Sequence, residues 1–409
     1  MNSTSNTARL RVAIVGTGMI AGVHIRSARA SGAEVVGILG RTPERSTAVA
    51  ATFDVPRGYD DLDDLIADRP DVVHICTPND QHHPQTLAVL RAGIHVVCEK
   101  PLAMGAEQAD ELAAAAAAAG VVATVPFAYR FHPIVREIRA RIAAGDIGRV
   151  LAIHGSYLQD WLLDEGASSW RVDANAGGAS RAFADIGSHW CDLVEFVTGE
   201  RFTSVSAVMD TVHPTRPAPA GPSFAGSADS ADSTGTSDST QPGGAVHADR
   251  IAVSTEDTAV ATFRTERGRI GNVVISQVSA GRKNRLWFEV DGTRSSAVFD
   301  QESPESAWFG TETGATIVVR DPSQGADDQR RLALVPSGHP QGYLDAFAAF
   351  VADTYAAVRG GTPEGLPTFA DGARSAHIVD AVVASARRAG LTDKRTGGET
   401  GATTWKDIV

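Results

Sequence analysis

Four side chains of reactive type stand where a fold of alternating strands and helices would collect them. Lys100 follows a short apolar run, Val96 to Cys98, and precedes Pro101, so Glu99-Lys100-Pro101 reads as the end of a buried strand. In an open parallel α/β sheet, ligands gather at the carboxyl ends of the strands. Lys100 would then project its ammonium into the ligand crevice. Farther along, Asp185, His189 and Asp192 are spaced i, i+4 and i+7, one face of a helix. A buried aspartate one turn from a histidine can orient the imidazole and raise its basicity, as a general base requires. An isolated Glu-Lys pair also suits a solvated loop, and an Asp-His pair also suits a surface helix. Spacing alone fits both.

The surrounding elements favour the chemical reading. Leu10 to Val15 reads as a strand, followed at once by Gly16-Thr17-Gly18-Met19-Ile20-Ala21, a GxGxxA turn into a helix. Gly16 permits the tight turn, Gly18 lets the backbone approach a pyrophosphate, and Ala21 lets helix and strand pack closely. The helix start, at Met19 and Ile20, faces the phosphate charge. A second strand, Glu34 to Leu39, ends in Gly40-Arg41. An acid there would bind the adenosine ribose hydroxyls and select NAD. Gly40 stands in its place, with Arg41 and Arg45 after it, able to meet a 2′-phosphate or to stack on adenine. NADP is therefore expected ahead of NAD. The strand Asp71 to Cys76 ends in Thr77-Pro78-Asn79, near where a nicotinamide ribose would lie, and His82 and His83 come next at a helix start. Helices are expected over 42–53, 62–68, 86–92 and 106–119, and a further strand over 121–125. The alternation implies a doubly wound dinucleotide-binding domain over 9–125.

From Pro126 to 390 the pattern changes. A helix (134–144) and a strand (150–158) lead through Trp161, Trp170 and Arg171 to the Asp185 segment, after which strands dominate: 204–209, 258–264, 271–279, 285–290, 296–299 and 316–320. They read as a largely antiparallel sheet. Residues 213–249 are rich in Pro, Ala, Gly, Ser, Asp and Thr and are expected to be a disordered insert. Helices close the domain (344–359 and 373–389), and 391–409 is a polar tail. The fold class expected is α/β, a Rossmann domain followed by an α+β domain with a large, mostly antiparallel sheet.

Composition narrows the function. A formal net charge of −12 disfavours nucleic-acid or anionic-membrane partners. Cys76, Cys98 and Cys191 lack metal-binding spacing, so buried thiols in a reducing compartment are expected and no metal site is suggested. No leader peptide and no apolar run of membrane-spanning length is visible, and a cytoplasmic protein is expected.

The GxGxxA turn, Thr77-Pro78-Asn79 with His82, Glu99-Lys100-Pro101, Tyr129-Arg130, the Asp185-Ile186-Gly187-Ser188-His189 segment with Asp192, and Thr255-Glu256-Asp257 together resemble the Gfo/Idh/MocA oxidoreductases. That is the family of glucose–fructose oxidoreductase and inositol dehydrogenase. The likeness runs from about Arg11 to Arg388. It implies that Lys100, with Glu99, lies beside the nicotinamide of NAD or NADP and that Asp185 and His189 complete the site. It also implies that the sheet's open face forms a homodimer or homotetramer. His189 would take a hydroxyl proton, Lys100 would hold the same oxygen, and Asp185 would orient the pair. Tyr129, Arg130, Trp161, Trp170, Arg171 and His339 are candidate contacts to a carbohydrate or cyclitol. The expected activity moves a hydride between a nicotinamide and a secondary alcohol or ketone of a sugar, glycoside or cyclitol. Two other readings are an NAD-dependent glycoside-cleaving enzyme of the same family and a non-catalytic nucleotide-binding regulator. The intact set Lys100, Asp185 and His189 counts against the regulator.

Overall fold

Unbroken runs of aliphatic residues, as in Val12 to Val15, have no polar face to offer water, so they suit strands covered on both sides. The computed structural model describes residues 8–218, 250–392 and 405–409. Its first half alternates strands and helices: β1 (Arg11–Val15), α1 (Met19–Ala30), β2 (Glu34–Leu39), α2 (Pro43–Thr52), β3 (Gly58–Tyr59), α3 (Leu62–Ala67), β4 (Val72–Ile75), α4 (Asn79–Arg91), β5 (His95–Cys98), α5 (Ala106–Ala119) and β6 (Ala123–Thr124). The strands form one parallel sheet in the order β3-β2-β1-β4-β5-β6. Strand order reverses between β1 and β4, so a crevice opens at their carboxyl ends. This is a Rossmann sheet.

The second half begins with α6 (Pro133–Ala143), β7 (Val150–Leu158), the short α7 (Ala174–Gly177), α8 (Ser188–Thr198), β8 (Phe202–Asp210), β9 (Thr215–Pro217), β10 (Arg250–Ala252), β11 (Thr258–Thr265) and β12 (Ile270–Ser276). It continues with β13 (Arg285–Gly292), β14 (Ser296–Asp300), β15 (Ser306–Thr311), β16 (Gly314–Val319), α9 (Asp327–Leu332), α10 (Tyr343–Val358), α11 (Phe369–Thr392) and β17 (Lys406–Asp407). Nine of these strands form one sheet, β16-β15-β14-β13-β7-β12-β11-β8-β17, antiparallel throughout except where β7 meets β12. One face buries Trp190, Phe202, Phe263 and Phe288 against α6, α8 and α11. Across the other face, cross-strand register sets Val208 beside Val260 and Val260 beside Val274, and farther along Val298 beside Trp308 and Trp308 beside Ile317. That row stays exposed: Val208 is 63% and Ile317 58% accessible.

The last two long helices, expected to belong with the second domain, also complete the first. Phe347, Phe350, Val351 and Tyr355 of α10 share a core with Val12 and Ile14. Phe369, Ala373 and Ala376 of α11 share another with Val73, Val96 and Leu112. The polypeptide returns to cover the Rossmann sheet it left.

Four expectations need correction. Helix α4 begins at Asn79, not Thr86, and carries Pro84 inside it. One missing backbone hydrogen bond near a helix start is outweighed by burying Thr86, Val89 and Leu90. Strand β15 escapes the sequence pattern, because Ser306, Gly310 and Thr311 dilute its apolar alternation. The insert expected to be disordered over 213–249 is ordered at its start, where β9 pairs with β10 and Arg216 is fully buried; residues 219–249 lie outside the described residues. The polar tail ends as β17, paired with β8, while 393–404 lie outside the described residues. Cys76, Cys98 and Cys191 are buried and unpaired, and burial pushes the Cys98 thiol up to about 12. No described helix is long and apolar enough to cross a membrane.

Candidate active site

Strand β5 delivers Lys100 to the crevice, and the second domain supplies its partner. Lys100 Nζ donates to Asp185 Oδ1 at 2.8 Å and to the Asp185 carbonyl at 2.9 Å. The other carboxylate oxygen, Oδ2, accepts from Gln277 Nε2 at 2.8 Å, and Arg171 Nε stands 3.6 Å from Oδ1. Burial alone would raise the Asp185 pKa, but the Lys100 and Arg171 charges outweigh it and hold the carboxyl well below the usual range. The two side chains are 16% and 13% exposed, so the pair is shielded yet open to a ligand on one side.

His189 lies in the first turn of α8 and is 7% exposed. Aromatic edges enclose its ring, from Phe127 (5.7 Å), Tyr129 (5.1 Å) and Tyr157 (6.4 Å). Burial drives its pKa well below the usual value, the Lys100 charge lowers it further, and Asp185 partly offsets both. The imidazole is therefore neutral at pH 7 and can accept a proton.

The i, i+4, i+7 face expected for Asp185, His189 and Asp192 does not form. Phe183–Gly187 is a π-helical turn, which holds one more residue than an α turn, so Asp185 is rotated out of the α8 register. Asp185 bonds Lys100 and Gln277 rather than the imidazole. Asp192 instead meets Arg130, whose Nε lies 2.8 Å from Asp192 Oδ2. Arg130 also bonds Asp371 at 2.8 Å and lies over the Phe196 ring. A buried guanidinium needs such carboxylates, and these bonds brace Arg130 in the core.

Sequence reasoning missed what holds the π-turn. Glu256, 4% exposed, accepts from Ser180 Oγ (2.7 Å), Arg181 N (3.1 Å) and Phe183 N (2.8 Å). Its neighbour Asp257 pairs with Arg181 and with Arg216 at 3.0 Å. Two adjacent acids, Glu256 and Asp257, opening a strand were the available signal. Gln277 gave none.

The phosphate turn is built as its sequence suggests. Gly16 has φ +113°, and a Cβ there would lie 2.5 Å from the Cys76 carbonyl oxygen, so only glycine fits. A Cβ on Gly18 would meet nothing, leaving open space before α1. Helix α1 has no side-chain cap and no acid in its first turn; Ala21 N donates to the Gly18 carbonyl, and the N–H groups ahead of it remain available to a phosphate. Met19 is exposed and Ile20 half-buried at this edge. At the end of β2, Gly40 N donates to Ser46 Oγ, and Arg41 and Arg45 are exposed, with Arg45 Nε 3.4 Å from Thr17 Oγ1.

Other candidates are committed elsewhere. His82 is buried, its ring nitrogens 2.7 Å from the Pro101 carbonyl and 2.9 Å from the Thr77 carbonyl, so its N–H donates to one of two strand-end loops. Thr77 Oγ1 donates to Gln85, Pro78 caps α4, and Asn79 Nδ2 donates to the Gly177 carbonyl across the domain boundary. The Glu99 carboxylate turns inward, accepting from His24 and from Lys100 N. His339 is exposed, and its ring contacts the Pro336 carbonyl. Arg171 reaches the pair, Tyr129 packs on His189, and Trp170 and Trp161 connect to these neighbours indirectly. Tyr129 OH and Tyr157 OH are 2.5 Å apart, Asn284 bonds both, Gln159 bonds Asn284, and Trp161 Nε1 donates to Gln159. Arg171 stacks 4.5 Å over Trp170.

Family comparison agrees with this geometry over both sheets. Residues 10–127 match the model of the oxidoreductase family with an NAD-binding Rossmann fold, and residues 135–298 match the GFO/IDH/MocA C-terminal domain. The chain belongs to the Gfo/Idh/MocA oxidoreductases. Within that family it is similar to the levoglucosan dehydrogenase of Pseudarthrobacter phenanthrenivorans, 32% identical over 86% of this chain and 87% of that one. A solved structure of levoglucosan dehydrogenase in complex with NADH and levoglucosan superposes with a TM-score of 0.81 at 28% identity, covering 98% of this chain and 100% of the other. An inositol dehydrogenase homolog from Azotobacter vinelandii, complexed with NAD+, gives a TM-score of 0.78 at 26% identity over 98% of each chain. This Gfo/Idh/MocA member is an NAD(P)-dependent oxidoreductase.

Proposed function

We propose that the protein oxidises a ring hydroxyl of a cyclic sugar, glycoside or cyclitol and reduces the matching ketone. The observation that carries this reading is the Lys100–Asp185 pair beside a neutral, buried His189. The levoglucosan and inositol relatives support the substrate class. When bound, the nicotinamide supplies the two-electron chemistry.

The remaining work belongs to the side chains. An ammonium has three N–H groups; Lys100 commits two to Asp185, which leaves one for the substrate oxygen. His189 takes the hydroxyl proton at a ring nitrogen and returns it in the reverse direction. A positioned acid/base of this kind contributes a factor of roughly 10²–10⁴. Asp185 fixes Lys100, and Gln277 satisfies the second carboxylate oxygen. The polar ladder Tyr157, Asn284, Gln159 and Trp161, with Trp170 and Arg171 opposite, suits a polyhydroxylated ring, since aromatic faces cover C–H groups while amides and guanidinium meet hydroxyls.

Two finer readings accompany it. The end of β2 lacks an acid for the ribose hydroxyls, and Arg41 with Arg45 offers cations for a 2′-phosphate, so NADP use is proposed ahead of NAD. The exposed row Val208, Val260, Val274, Trp308 and Ile317 supports a homo-oligomer formed through the open sheet face. The test is reduced-nicotinamide absorbance with NAD and NADP separately, against anhydrosugars, glycosides and inositols. Turnover with a cyclic polyol supports the reading. Nucleotide binding without turnover on any of them overturns it.

A further inference from the structure

The chemistry above leaves one buried polar chain unused. His24 on α1, His74 on β4 and Tyr355 on α10 are each 0% exposed and bond end to end. Tyr355 OH lies 3.0 Å from His74 Nε2, and His74 Nδ1 lies 2.8 Å from His24 Nδ1. His24 Nε2 lies 3.0 Å from Glu99 Oε1. The other Glu99 oxygen accepts from Lys100 N at 3.1 Å, so the chain ends one residue from the catalytic ammonium. The two imidazoles cross at 82°, and Phe347 packs its edge against His24 at 4.8 Å.

The partners permit a chain of bonds that all run toward Glu99. A carboxylate only accepts, so His24 carries its proton on Nε2. With its Nδ1 bare, His24 offers a lone pair there, and His74 then donates from its own Nδ1. That leaves His74 Nε2 to accept the Tyr355 hydroxyl. Every donor finds one acceptor, and each bond points toward Glu99, an arrangement in which successive bonds strengthen one another. Burial drives His74 well below its usual pKa, in keeping with a neutral ring. Burial would raise the Glu99 pKa, but His24 beside it and, after it, Lys100 outweigh burial and hold the carboxyl below its usual range. Cys76, His82, Tyr343 and Lys100 are the other titratable groups around it. A strand-interior histidine is otherwise a poor choice at position 74, where an aliphatic residue would pack without needing partners.

We propose that Tyr355, His74 and His24 are positioning residues that lock Glu99 as an anion at the end of β5, and that this fixed charge favours oxidised, cationic nicotinamide over its neutral reduced form. The second half rests on the nicotinamide reading given above. No proton needs to move along the chain; its role is electrostatic. Two readouts test it in the full-length protein. Long-range ¹H–¹⁵N spectra of the histidine rings are expected to show a proton on Nε2 and a bare Nδ1 in His24, and the Nδ1–H tautomer in His74. Calorimetric Kd values for oxidised and reduced nucleotide give a ratio. Glu99→Gln is expected to raise Kd(oxidised)/Kd(reduced) on the order of tenfold, and Tyr355→Phe to move it the same way by less. Lys100→Met, which removes a cation instead, is expected to move it the other way. A protonated His24, or the opposite tautomers, overturns the chain. An unchanged ratio in both Glu99→Gln and Tyr355→Phe overturns its redox consequence. If wild-type protein binds neither nucleotide, the cofactor reading fails and takes the redox half with it, while the ring spectra still decide the chain.

Discussion

Asp185→Asn removes one charge from the centre of the site and changes little else in shape. In the native protein both carboxylate oxygens accept, from Lys100 and from Gln277, each at 2.8 Å. An amide offers one acceptor and one NH2; Gln277, whose own amide oxygen is unpartnered, can turn to accept from the NH2, so the loss falls on Lys100, which exchanges a charged acceptor for a neutral one. Hydrogen bonds to charged groups are worth about 1.5–3 kcal/mol, and losing one that positions Lys100 in the transition state costs about 3 kcal/mol, or roughly a hundredfold in kcat. Nucleotide affinity should change by less than about threefold, because the phosphate turn is built on other residues. The assay is steady-state turnover of a saturating cyclic polyol, with nucleotide Kd by fluorescence and the urea midpoint as a check on folding. A variant that folds and keeps kcat within threefold of wild type would refute the role given to Asp185. So would a hundredfold loss confined to nucleotide affinity.

Three other variants probe separate parts of the molecule. His132 is 2% exposed with Nε2 unpartnered, and burial holds its pKa at about 4. The unfolded chain gains this proton near pH 6.5 and the folded one does not until about 4, so its contribution is whole above 6.5 and falls by about 3 kcal/mol as the pH drops between them. His132→Phe should flatten that part of the stability–pH curve in urea titrations, and an unchanged slope would assign the acid sensitivity elsewhere. Glu256→Ala leaves three donors around the π-turn without an acceptor; at roughly 1–3 kcal/mol each, it should lose at least about 3 kcal/mol and most of kcat, whereas unaltered stability would deny Glu256 its anchoring role. Gly18→Ala should fold with a stability within about 0.5 kcal/mol of wild type yet bind nucleotide at least tenfold more weakly, since its methyl would enter the open space before α1. Gly16→Ala, with its Cβ against the Cys76 carbonyl, should damage folding itself. Equal nucleotide affinity in Gly18→Ala and wild type would move the phosphate away from this turn.

Much of the fold was legible because local signals were strong. Continuous apolar runs such as Val12 to Val15 have one natural place, the middle of a parallel sheet, and Gly16-Thr17-Gly18 specifies the tight turn and the helix after it. Lys100 was legible because a lone lysine ends an apolar strand. Less visible were features set by tertiary contacts. The π-turn at Phe183–Gly187 leaves no mark on a 3.6-residue periodicity, so Asp185 was aligned with His189 although it faces Lys100 and Gln277. The ion pairs of Arg130 were not legible because its partners, Asp192 and Asp371, lie far along the chain. Arg216 sat in a stretch of low-complexity composition, and its burial is explained by the Leu162, Asp164 and Ala167 carbonyls that cage it and by its ion pair with Asp257. The return of α10 and α11 to the first domain likewise depends on which helix faces remain uncovered.

The most direct test of the account is the single-turnover oxidation rate of a cyclic polyol as a function of pH, with wild-type protein beside His189→Asn. Because His189 is held neutral well below its usual range, the expected wild-type rate is flat from pH 8 down through 6.5. The variant should bind nucleotide normally and be slower by a factor of roughly 10²–10⁴. A wild-type rate that titrates near 6.5, or a variant that keeps its rate, would contradict the assignment of His189 as the group that takes the hydroxyl proton.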